Sequence, residues 1–298
     1  MNKALYNNRS IISKRCACKA MKLSIVIVNW NTTDLCKDLL FSIEEYKPKC
    51  QYEIILIDNA SDDFENYNLQ NFSSLKVIRK KENLKYAKAN NIGIEKSIGE
   101  YILFFNPDIK VTKSSIDVLV DFLDSHSDYS GVCPKMILPN GEIDKSVRGF
   151  PYFVPLISDF MGLSKIFSKS KIFNYYKQNH FNYELPNDVL QPMTSALLIR
   201  RKLVEEIGVF DEEFPIFFND VDLLYRANQK GFKIKYLPNA IMHHIHGAST
   251  AKASKVKMKS ESLNSLIKFY RKHFEARYSK LGIKLISILI QQKIPKEK

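Results

Sequence analysis

Residues 23–31 of the chain read Leu-Ser-Ile-Val-Ile-Val-Asn-Trp-Asn, and this stretch decides the fold. Its first part is an almost unbroken run of aliphatic and β-branched side chains. Such a run predicts a strand that is buried on both faces, as in a parallel sheet covered by helices. The polar end of the stretch, Asn29-Trp30-Asn31, then marks the sheet edge at which ligands bind in folds of this kind.

Working outward from this strand, further strands and helices alternate along the chain. Residues 32–34 form an N-cap cluster, and the helix after them repeats apolar residues with helical spacing. More strands are predicted at 52–57, 75–78, 101–105, 196–200 and 232–236, with helices at about 85–97, 114–125 and 220–230. This alternation predicts an α/β domain with a mostly parallel sheet and helices on both faces. Residues 150–190 interrupt the pattern with an aromatic, lysine-rich stretch.

Composition supports a globular protein. The 298 residues are 45% hydrophobic and 26% charged, which is typical of a folded enzyme and argues against wholesale disorder. Five cysteines are scattered without zinc-ligand spacing. They favour reduced thiols in a cytosolic protein over a disulfide scaffold.

The net charge of +13 is concentrated at the two ends of the chain. Residues 1–22 and 251–298 hold the excess of Lys and Arg, whereas the middle is nearly neutral. No basic motif with interleaved aromatic residues is present, so we expect no nucleic-acid partner. The basic ends fit either a solvated surface or contact with a membrane surface.

We therefore divide the chain into a disordered basic extension (1–20), one α/β domain (21–250) and a basic helical segment (251–298). No apolar run approaches the roughly 18 residues needed to cross a bilayer. Residues 281–290 are apolar but short, and they fit either a headgroup interface or a helix packed on the domain. We expect a cytoplasmic protein with peripheral contact at the inner face of the cell membrane through the basic C-terminus.

Polar residues that can carry chemistry follow the predicted strands. Asp58 comes after the second strand and Asp108 after the fourth. Neither GxGxxG nor GxxxxGK[ST] follows the first strand, which disfavours a nicotinamide-binding domain and excludes a P-loop. A ligand here would be held by side chains and a metal ion.

Six segments, in order and with the right spacing, resemble the family 2 glycosyltransferases with the GT-A fold, particularly the rhamnosyltransferase-like branch. The segments are SIVIVNWN (24–31), LIDNAS (56–61), ENLKYAKANNIGI (82–94), FFNPDI (104–109), GVFDEEFPIFFNDVDLLYRANQKGFKI (208–234) and HHIHGAS (243–249). The resemblance implies a Rossmann-like mixed sheet. It also implies inverting transfer of a sugar from a nucleotide-diphosphate donor to a glycan or lipid-linked acceptor in cell-surface polysaccharide synthesis.

The same resemblance implies a site for Mg²⁺ or Mn²⁺, which would neutralise the departing diphosphate. Asp108 matches the last acid of the family's D-x-D element, written Asn106-Pro107-Asp108 here, so Asn106 stands in the place of the first acid. His244 matches the histidine of H-x-x-G-x-S and would complete the metal site. His246 would contact the diphosphate.

The remaining site residues are also implied by the resemblance. Asp58 would accept a hydrogen bond from the pyrimidine base, and Val28 and Asn31 would complete the nucleoside pocket. Asp220 matches the catalytic acid and would remove the proton of the acceptor hydroxyl. Asp222 lies four residues before Arg226, which favours a structural ion pair within a helix.

Three departures from the family pattern bear on activity. Lys85 and Ser195 stand where glycine is usual, and Asn219 stands where glutamate is usual. A non-catalytic nucleotide- or polysaccharide-binding module with a degenerate site is therefore one alternative hypothesis. A sugar-1-phosphate nucleotidyltransferase is another, although its glycine-rich phosphate loop is replaced by NWNTTD here.

Overall fold

The computed structural model describes residues 21–64, 72–167, 170–245, 255–275, 287–288 and 290–291. The predicted extension at 1–20 and residue His246 lie outside this part of the chain. The three cysteines that fall within it, Cys36, Cys50 and Cys133, are free thiols.

Strands and helices alternate as the sequence predicts. The strands are β1 Leu23–Asn29, β2 Tyr52–Asp58, β3 Leu75–Arg79, β4 Tyr101–Phe105, β5 Ile109–Val111, β6 Gly131–Ile137, β7 Val147–Arg148, β8 Asn187–Val189, β9 Gln191–Pro192, β10 Ala196–Arg200 and β11 Ile234–His244. The helices are α1 Thr33–Glu45, α2 Lys85–Lys96, α3 Ser115–Ser125, α4 Phe153–Phe160, α5 Leu163–Ile166, α6 Arg201–Ile207, α7 Asn219–Gln229 and α8 Lys255–Phe274.

A central sheet runs in the order β3-β2-β1-β4-β10-β6-β11-β5, and β8 pairs with β11. The half around β1 is parallel, because β1 pairs in parallel with both β2 and β4. β10 is antiparallel to β4 and to β6. The predicted α/β fold with a mixed sheet is confirmed, and β1 is one of its inner strands.

The unbroken aliphatic run of β1 is explained by two separate cores. All seven of its residues are buried. Val26 contacts one apolar cluster together with side chains of α2, α6, α7 and α8. Ile25 and Ile27 contact the other cluster together with α1 and α3. Since alternate side chains of a strand point to opposite faces, helices on both faces require apolar residues at every position.

The predicted strand at 232–236 is longer than its pattern indicates. β11 continues to His244 after its register with β6 shifts between Leu237 and Ile241. Pro238-Asn239 at this irregularity signals a turn in the sequence, but the strand resumes beyond it. The extension is important because it carries His244 to the carboxyl edge of the sheet.

Helix α8 covers part of the larger core. Its apolar face is buried against the cluster that contains α7, through Leu266, Ile267, Phe269, Tyr270 and Phe274. The Tyr270 hydroxyl donates a hydrogen bond of 2.6 Å to the carbonyl oxygen of Pro151. Within the parts of the chain that the structure describes, none of the helices has the length and hydropathy required to cross a membrane.

The stretch at 149–190 lies between the two strands of a small antiparallel sheet, β7 and β9. We call residues 149–190 the insertion lobe. It contains α4, α5, a series of turns and, at its end, β8, so the region where the sequence pattern loosens carries local helical structure before it rejoins the central sheet.

Candidate active site

The ends of β1 and β2 form one wall of the site. Asn29 and Asp58 are partners in the parallel register. The Asn29 amide donates to the Asp58 carboxylate at 3.1 Å, and the backbone N–H of Ser61 donates to it at 3.3 Å. Arg79 Nε lies 3.6 Å from the same carboxylate. Asp58 is fully buried by these contacts.

The turn between β4 and β5 presents two side-chain oxygens with unused hydrogen-bonding capacity. Asn106 Oδ1 and Asp108 Oδ1 are buried and make no hydrogen bond. The backbone of the turn is fixed, because Asn106 N–H donates to the Ser195 carbonyl and the Asp108 carbonyl accepts from Ile245 N–H. Buried polar atoms are nearly always hydrogen-bonded in native proteins, so two neighbouring acceptors that lack a hydrogen bond indicate a site for a cation or a ligand donor.

His244 reaches this turn through strand pairing. β11 is antiparallel to β5, and His244 pairs with Ile109. Its Nε2 therefore lies 3.5 Å from Asp108 Oδ1, while its Nδ1 lies 2.7 Å from Asp144 Oδ2. A carboxylate on one imidazole nitrogen orients the ring and fixes which nitrogen is left to bind a metal.

The ionisation of His244 reflects these neighbours. Burial by itself lowers the pKa of His244, but the two carboxylates of Asp108 and Asp144 outweigh burial and raise the pKa to about 9. The ring is therefore a cation at neutral pH when the protein is free of metal. A divalent ion bound beside it would replace that proton as the counter-charge.

Asp220 stands in the first turn of α7. One oxygen accepts a hydrogen bond of 2.8 Å from the N–H of Val221, and the other accepts one of 3.2 Å from the Gln191 amide. Burial raises the pKa of Asp220 to about 6, against the opposing effect of these hydrogen bonds. A carboxylate with this pKa is ionised at pH 7 and remains basic enough to accept a proton.

One cavity of about 450 Å³ brings the predicted residues together. Val28, Asn106, Asp108, Asp220 and His244 all line it. Asn31 and Asp58 do not line the cavity. Asn31 lies in the adjacent turn, where its side-chain oxygen accepts a hydrogen bond of 2.8 Å from Asp62 N–H.

The donor atoms fit a hard divalent cation that retains open positions for a ligand. Mg²⁺ and Mn²⁺ prefer carboxylate and amide oxygens and share their remaining positions with water and phosphate. Asp108 and Asn106 offer such oxygens, and His244 offers a nitrogen. Among the described residues, no group of three or more His, Cys, Asp or Glu side chains is arranged as a complete metal cage.

Several residues of the site were missed by sequence analysis. Asp144 and Gln191 are absent from the predictions, yet they position His244 and Asp220. Lys257 and Met258, at the start of α8, line the cavity. A single sequence offers no local signal for these four, because each acts through a contact with a distant element.

The three departures from the family pattern have distinct surroundings. The Asn219 side chain is buried and donates a hydrogen bond of 2.7 Å to the Ile216 carbonyl, so it serves the turn before α7. Ser195 lines the cavity and its hydroxyl lies 3.8 Å from the sulfur of Met136. Lys85 also lines the cavity and adopts a φ of 67°.

Backbone strain is concentrated around the cavity. Lys85 and Phe218 line it with φ values of 67°, and Asn31 and Ala60 hold φ values of 53° and 60° in the turns after β1 and β2. Side chains other than glycine rarely adopt this left-handed region. Strain of this kind persists where the surrounding structure imposes it, most often at functional sites.

The sequence model of Glycosyl transferase family 2 matches residues 24–208, more than half of the chain. The chain belongs to this family. The membership confirms the resemblance seen in the sequence.

One curated relative is the N-acetylglucosaminyl-diphospho-decaprenol L-rhamnosyltransferase of Mycobacterium tuberculosis. It is 27% identical over 207 residues, which cover 64% of this chain and 66% of the relative. The match therefore spans slightly less than two thirds of that enzyme's length.

Solved structures show the same fold. Staphylococcus aureus TarS 1–349 in complex with UDP-GlcNAc superposes with a TM-score of 0.57 at 19% identity, over 91% of this chain and 72% of the other. The mannosyltransferase PcManGT of Pyrobaculum calidifontis, in complex with GDP-Man and Mn²⁺, gives a TM-score of 0.55 at 14% identity over 92% and 69% of the two chains. The GT-A fold of this family 2 member is thereby established.

Proposed function

We propose that this family 2 member is an inverting glycosyltransferase. It moves a sugar from a nucleotide-diphosphate donor to a glycan or lipid-linked acceptor in cell-surface polysaccharide synthesis. The observation that carries the proposal is the pair of buried oxygens on Asn106 and Asp108 that accept no hydrogen bond, on two residues that line the same cavity as His244 and Asp220. A cation site and a carboxylate base in one cavity are the two groups that such a transfer requires.

Asn106, Asp108 and His244 would hold Mg²⁺ or Mn²⁺, which supplies positive charge for the departing diphosphate. Asp144 keeps the His244 ring oriented through its 2.7 Å contact with Nδ1. The Mn²⁺ in the structure of the mannosyltransferase PcManGT supports the choice of ion. His246, outside the described residues, is proposed to contact the diphosphate.

Asp220 accepts the proton of the acceptor hydroxyl as that oxygen attacks the anomeric carbon. The Gln191 amide and the Val221 N–H hold its two oxygens in place. The pKa of about 6 matches this role, because a base works best when its pKa lies near the operating pH. The Asn219 side chain, bonded to a backbone carbonyl, takes no part in proton transfer.

The nucleoside assignments of Val28, Asn31 and Asp58 remain part of the proposal. The assignment of Val28 has direct support, because Val28 lines the cavity together with Trp30 and Asn59. The assignments of Asp58 and Asn31 are supported by their positions, since Asp58 ends β2 and Asn31 follows the end of β1. The UDP-GlcNAc complex of TarS supports a nucleotide-sugar donor in this fold.

The acceptor and the membrane contact are proposed on similar grounds. The mycobacterial relative is named for a diphospho-decaprenol acceptor, which is a lipid-linked sugar. We propose a lipid-linked or glycan acceptor and peripheral contact of the protein with the inner face of the cell membrane through the basic segment at 251–298.

The test is titration calorimetry with UDP and GDP, with and without Mn²⁺, followed by an assay of donor hydrolysis and transfer. We expect Mn²⁺-dependent nucleotide binding that is lost in Asp108→Ala. The buried carboxylate of Asp117, which binds Lys49 N–H away from the cavity, provides the control variant Asp117→Asn. Asp220→Asn should bind nucleotide and metal but transfer no sugar.

Three results would redirect or overturn the proposal. Nucleotide binding without donor turnover in the unmodified protein would favour a binding module with a degenerate site. Release of pyrophosphate from a nucleoside triphosphate and a sugar 1-phosphate would favour a nucleotidyltransferase. Full transfer activity in Asp108→Ala and Asp220→Asn would remove both residues from the mechanism.

A further inference from the structure

The insertion lobe is joined to the active site at its base. It leaves the domain at β7, rejoins the central sheet at β8 and is followed by β9, which pairs with β7. Gln191 of β9 donates to the Asp220 carboxylate, so the return strand touches the proposed base. The lobe therefore projects from the part of the cavity at which an acceptor must meet Asp220.

The outer surface of the lobe carries large apolar side chains in contact with solvent. Val154 and Met161 are 54% and 68% exposed, and their spacing places them on the same face of the helix α4 and the turn after it. Ile166, Phe167 and Ile172 are 71%, 50% and 64% exposed. Exposed apolar side chains gathered in one short segment indicate an interaction surface, whereas scattered ones need no explanation.

The exposure is imposed by an ordered interior. The Asn174 amide is fully buried and donates 2.8 Å to the Phe167 carbonyl. Ser164 donates to Asp159, and Asp159 also pairs with Lys177. Leu156 turns inward to the main core. Because these contacts fix the backbone of the turns, the exposed apolar side chains cannot rotate into the interior of the lobe.

The side-chain charges on this surface that are not neutralised by a neighbour are positive. Lys165 and Lys171 are exposed beside the apolar side chains, and neither forms an ion pair with any described residue. The acid of the same stretch, Asp159, is neutralised by Lys177. Apolar side chains flanked by free ammonium groups match the interface of a bilayer with anionic headgroups.

We propose that the outer face of the insertion lobe, formed by Val154, Met161, Lys165, Ile166, Phe167, Lys171 and Ile172, docks on anionic membranes. The apolar side chains enter the interface and the lysines contact the lipid phosphates. This surface is distinct from the basic C-terminal segment. If the proposed function also holds, docking places Asp220 and its cavity beside the headgroups, where a lipid-linked acceptor presents its sugar.

The test is co-sedimentation of the full chain with vesicles. One preparation contains equal parts of phosphatidylglycerol and phosphatidylcholine, and the other contains phosphatidylcholine alone. We expect binding to the anionic vesicles, and a loss of at least about fivefold in the partition coefficient for the double variant Ile166→Ser/Phe167→Ser. The matched control is Ile98→Ser/Phe41→Ser, because Ile98 and Phe41 are 69% and 52% exposed on other parts of the domain.

The lysines are tested separately. Lys165→Glu/Lys171→Glu should weaken binding to anionic vesicles at least as strongly, and the effect should diminish as salt rises. Lys76→Glu/Lys88→Glu is the control with the same change of charge on exposed lysines outside the lobe.

Three outcomes would overturn the proposal. Equal binding of the lobe variants and their controls would assign membrane contact to another part of the chain. Equal binding to both vesicle types would remove the role of the lysines. Absence of vesicle binding, with self-association that the double variant abolishes, would make the face a protein interface. Circular dichroism and thermal melts of every variant verify folding, and Mn²⁺-dependent binding of UDP or GDP to the unmodified protein reports separately on the proposed function.

Discussion

At the residue scale, the environment of Asp220 separates it from the other acids of the site. Burial raises its pKa to about 6. Asp222, two residues later on α7, has its pKa lowered to about 2 because His273, Lys272 and Arg226 outweigh the effect of burial. The same helix turn thus holds one carboxylate suited to proton transfer and one that stays ionised as a structural anchor.

Asp220→Asn should stabilise the protein at neutral pH while it abolishes transfer. The folded-state pKa of about 6 exceeds the ordinary value of 3.8, so ionisation of Asp220 costs stability as pH rises between these values. We expect the variant to gain about 1–3 kcal/mol in the free energy of unfolding at pH 7.5 and little at pH 4. Urea denaturation at both pH values measures this. A gain of equal size at both pH values would contradict the explanation.

Transfer by the unmodified enzyme should show the same ionisation. Because the base must be deprotonated, we expect the rate of transfer to rise with pH through about 6 and then level off. A rate that is flat between pH 5 and 8 would exclude Asp220 as the group that limits the reaction.

Lys85 illustrates strain at a single position. Lys85 has a φ of 67°, a left-handed conformation that is strained for lysine but not for glycine. In Lys85→Gly, the relief of this strain exceeds the free-energy cost of the extra conformational entropy that glycine gives the unfolded chain. We expect a gain of about 0.5–1 kcal/mol in the free energy of unfolding. Lys88→Gly, inside α2, is the control and should lose about 1 kcal/mol. Loss of stability in both variants would show that the side chain of Lys85 makes contacts that matter more than its backbone.

At the scale of elements, helix α8 is fixed to helix α7 by a buried ion cluster. Asp222 is fully buried and contacts Arg226 within α7 at 2.8 Å. It also contacts Lys272 and His273 of α8 at 2.6 and 2.7 Å. The predicted i,i+4 pair is confirmed, and the structure adds a link to the C-terminal helix. The other end of α8 then places Lys257 at the cavity.

Asp222→Asn should cost about 2–4 kcal/mol of unfolding free energy at pH 7, because it leaves the cations of this cluster without a buried partner. Since its folded pKa of about 2 lies below the ordinary 3.8, the contribution of Asp222 is present above pH 4 and is lost as pH falls toward 2. Thermal melts between pH 2.5 and 7 measure the difference between the variant and the unmodified protein.

Glu213→Gln is the matched control for Asp222→Asn. Glu213 also pairs with a lysine of α8, Lys268, but its side chain is 77% exposed. An exposed pair contributes little, so this variant should remain within about 0.5 kcal/mol of the unmodified protein. Equal losses in both variants would show that burial of the cluster is unimportant.

At the scale of the whole molecule, the domain extends beyond the region that defines its family. The family match ends at residue 208, whereas Asp220, His244 and α8 come later in the chain. These later elements still belong to the same core, since α7, β11 and α8 share one apolar cluster with β1 and α2. The proposed site needs these later elements packed on the sheet, because they bring Asp220 and His244 to the cavity.

A chain that ends at residue 254 should therefore fail to fold cooperatively. It loses the five buried apolar side chains of α8, each of which contributes about 1.5–3 kcal/mol, and together they match the whole stability of a typical domain. Near-ultraviolet circular dichroism and binding of an apolar dye measure the loss of packing. A chain that ends at residue 275 keeps α8 and should melt cooperatively. A sharp transition in the shorter chain would show that α8 is dispensable.

The sequence by itself determined the class of fold and indicated most of the residues of the proposed site. Aliphatic runs and helical spacing are local signals, and they identified β1, β2, β4 and β10 within a residue of their observed ends. Asp58 and Asp108 were found because polar residues that follow parallel strands meet at one sheet edge, whereas Asp220 was found through the family resemblance. The sequence also showed that the insertion lobe is rich in lysine, but it did not show which apolar side chains of the lobe are exposed.

The tertiary structure alone decided which side chains support those positions. Asp144 reaches His244 across 100 residues of sequence, and Gln191 reaches Asp220 across 29. The extension of β11 and the docking of α8 likewise depend on the register between strands and on packing against distant elements. Periodicity reports only on a window of about 10–15 residues. Contacts that depend on register and packing are settled when the chain folds on itself.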